Sequence, residues 1–512
     1  MFLHIKEEEE DDVRACNRSH NEIARIAKRI LGNRIAAAAK STNGKILWYV
    51  FDGRWKTVAK FQVKHELSTV VRDHFMTALH KERAYDMQSN LLIMRTKNET
   101  AERLANITER LQNTTFKNNV LKEMLEYFYD PDFMKKLDAD PNLLGFNNGV
   151  WELKNAVFRQ GHPEDMVSMS VGFDYNGAVC AESADRVRKY WDTLHPDDNQ
   201  REYLIHTFAR QLYGDSGQEL FHIHTGGSDA SISNGKTKFF EVMEIVLGDY
   251  IRKFGVEMLT RKKRIYPGNP IPQFSTRKGV RIMYCTEPNH DEVLNSGVLK
   301  DMTTGGEAIT TGVLHSSDIV SFLHPQHNTG VEGITHRLLH SIDIVDFRPQ
   351  HKIHIMCDAP TMVDCSDAGV QRRIRKLDYI SRFVDADEAD ASKFLFPRDA
   401  GLVEAFKADG AMRMEFLRTL LHAFAYAYNF DMPDSLKKTS AMYLNANDAV
   451  AMFVEEHVAA DRPDTGMELE RLLSEETETD LERHLQQETD LVRHLEKRKF
   501  ERGFQRIHDG HI

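Results

Sequence analysis

Residues 221–250 read FHIHTGGSDASISNGKTKFFEVMEIVLGDY, an alternating strand that runs into a glycine- and serine-rich turn and then into a helix expected from about Lys236 to Leu247. That order of elements suits a phosphate. Gly235 permits close backbone approach, Lys236 brings a positive charge, and Thr237 offers a hydroxyl to a magnesium ion. The first N–H groups of the helix have no intrahelical acceptor and point at the anion. Ser233 and Asn234 complete the expected nucleotide-binding set. The usual spacing G-x-x-x-x-G-K-T puts Ala230 where the first glycine should stand. The turn from Gly226 to Asn234 is also a few residues too long, as if SDAS or DASI had been inserted.

Two further strand ends could complete such a site. In KGVRIMYCTEPNHDEVL, Val280–Cys285 is a β-rich apolar run that ends just before Glu287. A carboxylate at the carboxyl end of a core strand beside a phosphate loop can order a magnesium shell and polarise an attacking water. Glu287 is therefore the candidate base and, with Thr237, a candidate metal contact. Lys352–Cys357 reads as another buried strand and ends at Asp358, which when ionised accepts hydrogen bonds but cannot donate them. His222 and His224 lie on one side of their strand and read as core or surface histidines rather than metal ligands.

Taken with their neighbours, these segments resemble the superfamily 3 helicases of large DNA viruses, in particular the ATPase part of poxvirus-type primase-helicases and of phage and plasmid primases. The resemblance covers roughly Lys45 to Val454. It opens with DFMKKLDADPNLLGFNNGVWELKNAVFRQGHPEDMVSMSVGFDY, then follows the family's order through the nucleotide loop, Glu287, VLKDMTTGGEAIT, KIHIMCDAP and QRRIRK. It implies an AAA+-like α/β ATPase core that works as a ring, a hexamer, with ATP and Mg2+ as cofactors. Single-stranded DNA or a replication fork would be its partner, and a separate primase chain could accompany it. Lys300 would meet a DNA phosphate toward the central channel, and Arg337 would sit near a DNA-contacting hairpin. Asp358 would occupy the position that senses the nucleotide. Arg372, ahead of Arg373, would reach into a neighbouring subunit's site as an arginine finger.

The chain departs from that pattern in places. Glu307 stands where the family has aspartate, Asp358 where it has asparagine, and Glu287 lacks the adjacent second acid of many such motors. The stretch ITTGVLHSSDIVSFLHPQH is echoed by ITHRLLHSIDIVDFRPQH about 25 residues later, and only the second copy carries the expected arginine, Arg337. The sequence leaves open whether the copies form a longer hairpin or a disordered loop. These departures keep a second reading in view: a decayed, non-hydrolysing relative that binds nucleotide or DNA as a structural subunit. A packaging ATPase would need a nuclease domain, and none is visible.

Around these segments the chain divides into an acidic tail over 1–20, an α+β leader over 21–180, the ATPase domain over 181–395, a helical region over 396–460 and a charged tail over 461–512. In the leader, a helix is expected from Asn21 to Lys40. KILWYVFDGRWKTVAKF should make two strands joined at Asp52-Gly53, with mostly helix from Val63 to Tyr129. The tail repeats ETDLERHLQQ as ETDLVRHLEK and reads as a solvated or coiled helix. At 512 residues the chain has room for several domains, and its 41% hydrophobic content suits globular cores. A net charge of −11 confines any nucleic-acid contact to a local basic channel. Five scattered cysteines suggest neither a disulfide framework nor a zinc ribbon. No apolar run approaches the ~20 residues of a membrane span, and the N-terminus lacks a signal-peptide core. A soluble intracellular protein is expected, in the cytoplasm or nucleus of an infected cell or in a virion.

Overall fold

Gly32 decides how the leader folds. The helix His20–Leu31 starts at Ser19, whose hydroxyl accepts the Glu22 N–H, and stops at Gly32 with φ +58°. That left-handed turn costs glycine little. The chain then returns as a strand, Ile35–Ala39, antiparallel to Ile46–Asp52, which in turn pairs with Arg54–Val58 across Gly53. The Asp52-Gly53 hairpin is as expected, whereas the helix expected through Lys40 ends nine residues early, at Leu31. Alanine favours a helix only where nothing better competes. Here Ala37 faces one core with Trp48 and Phe128, while Ala36 and Ala38 face another with Tyr49, Trp55 and Phe133. The helices Arg72–Gln88, Glu99–Arg110 and Thr114–Phe128 complete this leader, with Leu104, Ile107, Leu111, Leu121 and Met124 buried as their spacing requires.

This computed structural model describes residues 11–39, 46–88, 99–215, 219–226, 233–260, 278–286, 293–303, 309–314, 342–347, 349–358, 362–363, 368–427 and 430–446. The strands Leu143–Gly145, Val150–Glu152 and Val157–Arg159 form a small antiparallel sheet. Leu144, Phe146, Val171 and Phe173 from this region pack into the same core as the large sheet described next, so that core crosses residue 180. Arg281 helps to fix the joint. It is 1% exposed, donates to the carbonyls of Asp140 and Leu143 at 3.2 Å each, and bonds to Gln350, which holds the carbonyls of Asp138 and Ala139.

The large sheet is parallel and contains β1 (Phe221–Thr225), β2 (Ile251–Lys253), β3 (Ile282–Thr286), β4 (Lys352–Met356) and β5 (Ile374–Asp378). Its spatial order is β5-β1-β4-β3-β2, so β4 lies between the strand that feeds the glycine-rich turn and the strand that precedes Glu287. This is the α/β class expected, with the carboxyl ends of β1, β4 and β3 sharing one edge. Helices Asp198–Gln211 and Lys236–Leu247 cover the sheet and Gly410–Phe424 packs on them, with Phe208, Phe239, Phe240 and Phe416 fully buried.

One face of the sheet is unusually polar. His224 Nε2 lies 2.8 Å from His354 Nδ1, His354 Nε2 lies 2.8 Å from the Gln211 carbonyl oxygen, and the Tyr379 hydroxyl lies 3.1 Å from His224 Nδ1. One tautomer satisfies every bond: Tyr379 donates to His224, His224 to His354, and His354 to Gln211. Burial holds His195 down at about 4 and His222 at about 3, and holds His224 and His354 well below the ordinary imidazole value. These four are neutral in the folded chain, whereas unfolded histidines take up protons near ~6.5. Stability should therefore be flat above about pH 7 and fall as pH drops through 6.5 toward 4, by up to ~1.4 kcal/mol per pH unit for each histidine. Urea midpoints measured across that range test this, and a midpoint independent of pH would contradict it.

Candidate functional site

The site begins where β1 ends. β1 is buried along its whole length, and its last residue, Thr225, is fixed from two sides: its hydroxyl bonds to Asp378 and its carbonyl accepts the Tyr379 N–H at 2.9 Å. The chain re-emerges at Ser233, whose carbonyl accepts the Phe383 N–H at 2.8 Å. Gly235 then adopts φ +80° and caps the helix Lys236–Leu247. A Cβ at Gly235 would come 2.7 Å from the Phe383 ring and 3.2 Å from Leu194, so the turn needs glycine for space as well as for conformation. Gly226 is as confined: a Cβ there would lie 2.3 Å from the Asn234 amide nitrogen and 3.1 Å from Lys236 Nζ. The two ends of the turn thus close on the lysine.

Lys236 is only 4% exposed, and its ammonium meets Asp358 Oδ1 at 3.2 Å. The parallel register explains the meeting. Met356 lies opposite His224, and the Cys357 N–H donates to the His224 carbonyl at 3.0 Å, so the next residue of the chain emerges beside the turn. The carboxylate is 60% exposed, so water screens the pair and leaves Asp358 open to exchange. Asn234 is buried, and its carbonyl oxygen faces the Lys236 N–H at 3.5 Å. Thr237 and Ser233 are exposed beside it. Free N–H groups at the start of the Lys236–Leu247 helix, a buried ammonium and an accessible hydroxyl fit a polyphosphate with its magnesium.

The other expected residues fall in different places. Thr286 ends β3 at the same edge of the sheet, level with Met356, while Glu287 lies outside the described residues, as do Glu307 and Arg337. Lys300 is half-buried on the helix Ser296–Thr303, which anchors itself through Leu299 and Met302. Arg372 and Arg373 precede β5 and lie at the opposite edge, where the Arg373 carbonyl accepts the N–H of Phe221, the first residue of β1. A five-residue strand separates them from the turn, about 16 Å at ~3.3 Å per residue. Both arginines bond to Glu219. Arg373 is buried and donates to the Gly369 carbonyl, whereas the Arg372 side chain is 63% exposed. The structure therefore brings together Ser233, Asn234, Gly235, Lys236, Thr237 and Asp358, and sets the two arginines apart.

Sequence reasoning missed Asp378, Phe383 and Leu194, which hold the turn from behind. Asp378 carried a legible signal: it is the polar end of a strand that stands in register with Thr225. Phe383 and Leu194 are ordinary apolar residues, and only the closed turn reveals their role. Among the described residues, no three His, Cys, Asp or Glu side chains gather as a metal cluster, and no helix is long and apolar enough to cross a membrane.

Comparison with known proteins adds a second line. The family described as D5 N terminal like matches residues 24–197. The chain is 27% identical over 361 residues to "Putative helicase L207/L206" of Acanthamoeba polyphaga mimivirus, a match that covers 69% of this chain and 34% of that protein. It is 24% identical over 433 residues to "Putative helicase 022R" of Frog virus 3, covering 71% of this chain and 41% of the relative. It is 22% identical over 308 residues to "Putative primase C962R" of African swine fever virus, covering 56% and 31%. The chain thus spans about a third to two-fifths of the length of these curated relatives. Among solved structures, the apo C-terminal region of NrS-1 gives a TM-score of 0.39 at 10% identity over 83% of this chain and 75% of that one, a likeness that carries no weight of its own.

The turn itself can be tested. Gly235→Ala places a Cβ in the left-handed region and against Phe383, which should destabilise the chain by about 1–2 kcal/mol and displace Lys236. A urea midpoint equal to that of the unsubstituted chain would show that the turn does not need its glycine.

Proposed function

From a chain of the viral primase-helicase family, we propose an ATP-driven DNA helicase of viral or mobile-element replication, acting as a homo-hexameric ring on single-stranded DNA at a fork. The observation that carries this reading is the buried ammonium of Lys236 at the carboxyl edge of a parallel sheet, between two confined glycines, Gly226 and Gly235. In open α/β sheets that edge is where ligands bind.

Each residue then has a task. The N–H groups at the start of the Lys236–Leu247 helix and the Lys236 ammonium bind the β- and γ-phosphates of ATP, and Thr237 orients a magnesium ion. Magnesium supplies Lewis-acid neutralisation of phosphate charge when bound. Glu287 is the carboxylate that takes the proton of the attacking water. Asp358 reads whether a phosphate stands before Lys236, because the two compete for the same ammonium. Arg372, exposed at the far edge, supplies a guanidinium to a neighbouring subunit, a contribution of ~10³-fold or more in related NTPases. Lys300 and Arg337 contact DNA phosphates, which makes binding salt-sensitive. A separate primase would suit such a motor, in an infected cell or a virion.

The ion pair between Lys236 and Asp358 also favours the second reading, a non-hydrolysing subunit, since an acid occupies the place of the amide found in the relatives this chain resembles. Magnesium-dependent ATP turnover separates the two. For the motor, single-stranded DNA stimulates hydrolysis and Lys236→Ala abolishes it; turnover no higher than that of the Lys236→Ala chain would leave the structural subunit. Asp358→Asn removes the competing carboxylate and should tighten Mg-nucleotide binding several-fold, read by fluorescence titration. Unchanged or weaker binding would show that Asp358 does not guard the lysine.

A further inference from the structure

A cleft of about 520 Å³ opens on the leader and shares no residue with the nucleotide loop. Val50 and Val58 of the leader sheet form its apolar side, and the helices Lys60–Glu66 and Thr114–Phe128 line the rest. Phe61 belongs to the lining yet is 68% exposed, an aromatic ring left in water. Lys60, Phe61, Lys64 and His65 recur at helical spacings of three and four and so share one face.

The charge around this cleft runs against that of the chain. The whole sequence has a net charge of −11, whereas residues 54–72 and 114–122 hold five lysines and two arginines against a single acid, Glu66. Lys56 pairs with Asp52 outside the lining. The two lysines of the lining are instead held by neutral oxygens: Lys64 donates to the Asn118 amide oxygen at 3.2 Å, and Lys117 to the Ser68 hydroxyl at 2.7 Å. Such an acceptor fixes an ammonium and takes one of its three donors without cancelling its charge. Glu66 also lines the cleft, but among the described residues no carboxylate pairs with Lys60, Lys64 or Lys117. The segment between the two lining lysines is unusual as well. Leu67–Val71 is wound as a π-helical turn, a rare form that recurs at functional sites. There the Ser68 hydroxyl donates to the Lys64 carbonyl at 3.0 Å while it accepts from Lys117, and Thr69 donates to the His65 carbonyl at 2.8 Å. The turn thus ties the helix that carries Phe61 to the helix that carries Lys117.

We infer that this cleft anchors single-stranded DNA on the leader, with a base stacked on Phe61 and the flanking phosphates on Lys64 and Lys117. An exposed ring beside ammonium groups that no acid neutralises answers both halves of a nucleotide, the flat face of the base and the charge of the phosphate. A duplex keeps its base faces inside the stack, so the ring selects a single strand. The cleft lies within the ~300–1,000 Å³ of ligand pockets and is half apolar along Val50 and Val58, which suits an unstacked base with its sugar. The inference rests on the proposed function only in naming DNA as the strand. The anchor is separate from Lys300 and Arg337, which that reading places on the DNA path of the motor.

The test follows the anisotropy of fluorescent oligo-dT with the full chain in the absence of nucleotide, and uses oligo-rU and a duplex of equal length in separate arms. Phe61→Ala is expected to weaken oligo-dT binding at least fivefold. Joint Lys64→Gln and Lys117→Gln should make the fall of log K with log salt shallower by about 1.4, at ~0.7 per phosphate contact. Oligo-dT carrying bromodeoxyuridine should crosslink to a peptide that contains Phe61. Equal binding of oligo-rU supports a single-strand site that accepts either sugar, and weaker binding assigns it to DNA. Should the lysine variant fail to fold by circular dichroism, Phe61→Ala and the crosslink decide. Tighter binding of the duplex, or oligo-dT binding unchanged by Phe61→Ala with no crosslink at that peptide, overturns the inference; the second result is also what a protein-docking cleft would give. Loss of DNA binding in Phe61→Ala with no ATP turnover in the unsubstituted chain would keep the anchor and remove the motor, and turnover with unaltered DNA binding would do the reverse.

Discussion

An ammonium that is 4% exposed has to be met by negative charge, and the edge of the sheet is arranged around that requirement. Here the charge comes from Asp358, delivered by the register of β4 on β1. A shift of one residue in a parallel pair would turn its side chains to the other face and carry the carboxylate away. Because the carboxylate itself stands largely in water, the pair is screened, and under the proposed function a phosphate competes with Asp358 for the lysine. The register of β4 on β1 is thus what the proposed competition depends on.

The histidine layer under that edge follows from a related constraint. A sheet buried on both faces usually reads as a run of Val, Ile and Leu, and Phe221, Ile223, Ile353 and Ile355 fill one face in that way. The other face carries His222, His224 and His354. It is tolerable because His224 and His354 find partners in each other, in Tyr379 and in Gln211, forming a directed chain from the strand-end side of the sheet to the helix Asp198–Gln211. A satisfied buried network fixes register more sharply than apolar packing does. His222 stands outside the chain of bonds, buried and with its ring stacked on that of His354 at 4.9 Å.

How much of this could be read beforehand depended on how local the cause was. The helix Lys236–Leu247, the Asp52-Gly53 hairpin and the strands that end at Thr286 and beside Asp358 follow from spacing and turn chemistry within a few residues, and they were legible. The strand Ile35–Ala39 was not, because four alanines favour a helix until a partner strand and two aromatic clusters outbid that preference. Nor could spacing reveal that Arg281 would reach across to residues 140 and 143, or that the main core would run past residue 180. Those are contacts between segments more than a hundred residues apart. The loop residues Ser233 to Thr237 and Asp358 lie together, whereas Glu287 and Arg337 lie outside the described residues.

The two arginines illustrate how position narrows a role that sequence leaves shared. They are neighbours, and both touch Glu219, yet they stand in different surroundings. Arg373 is buried, binds Glu219 at 2.6 Å and donates to the Gly369 carbonyl, so removing it would leave the half-buried Glu219 carboxylate to the exposed Arg372. It ties the start of β5 to the segment just ahead of β1. Arg372 makes its contact in water, where such pairs are worth ~0–1 kcal/mol, and can trade Glu219 for another anion. Since the sheet lies between Arg372 and the lysine of its own chain, a phosphate that meets this guanidinium has to come from elsewhere. Within the proposed ring that source is the next subunit, and the exposure of one arginine beside the burial of the other is what such a division of labour requires.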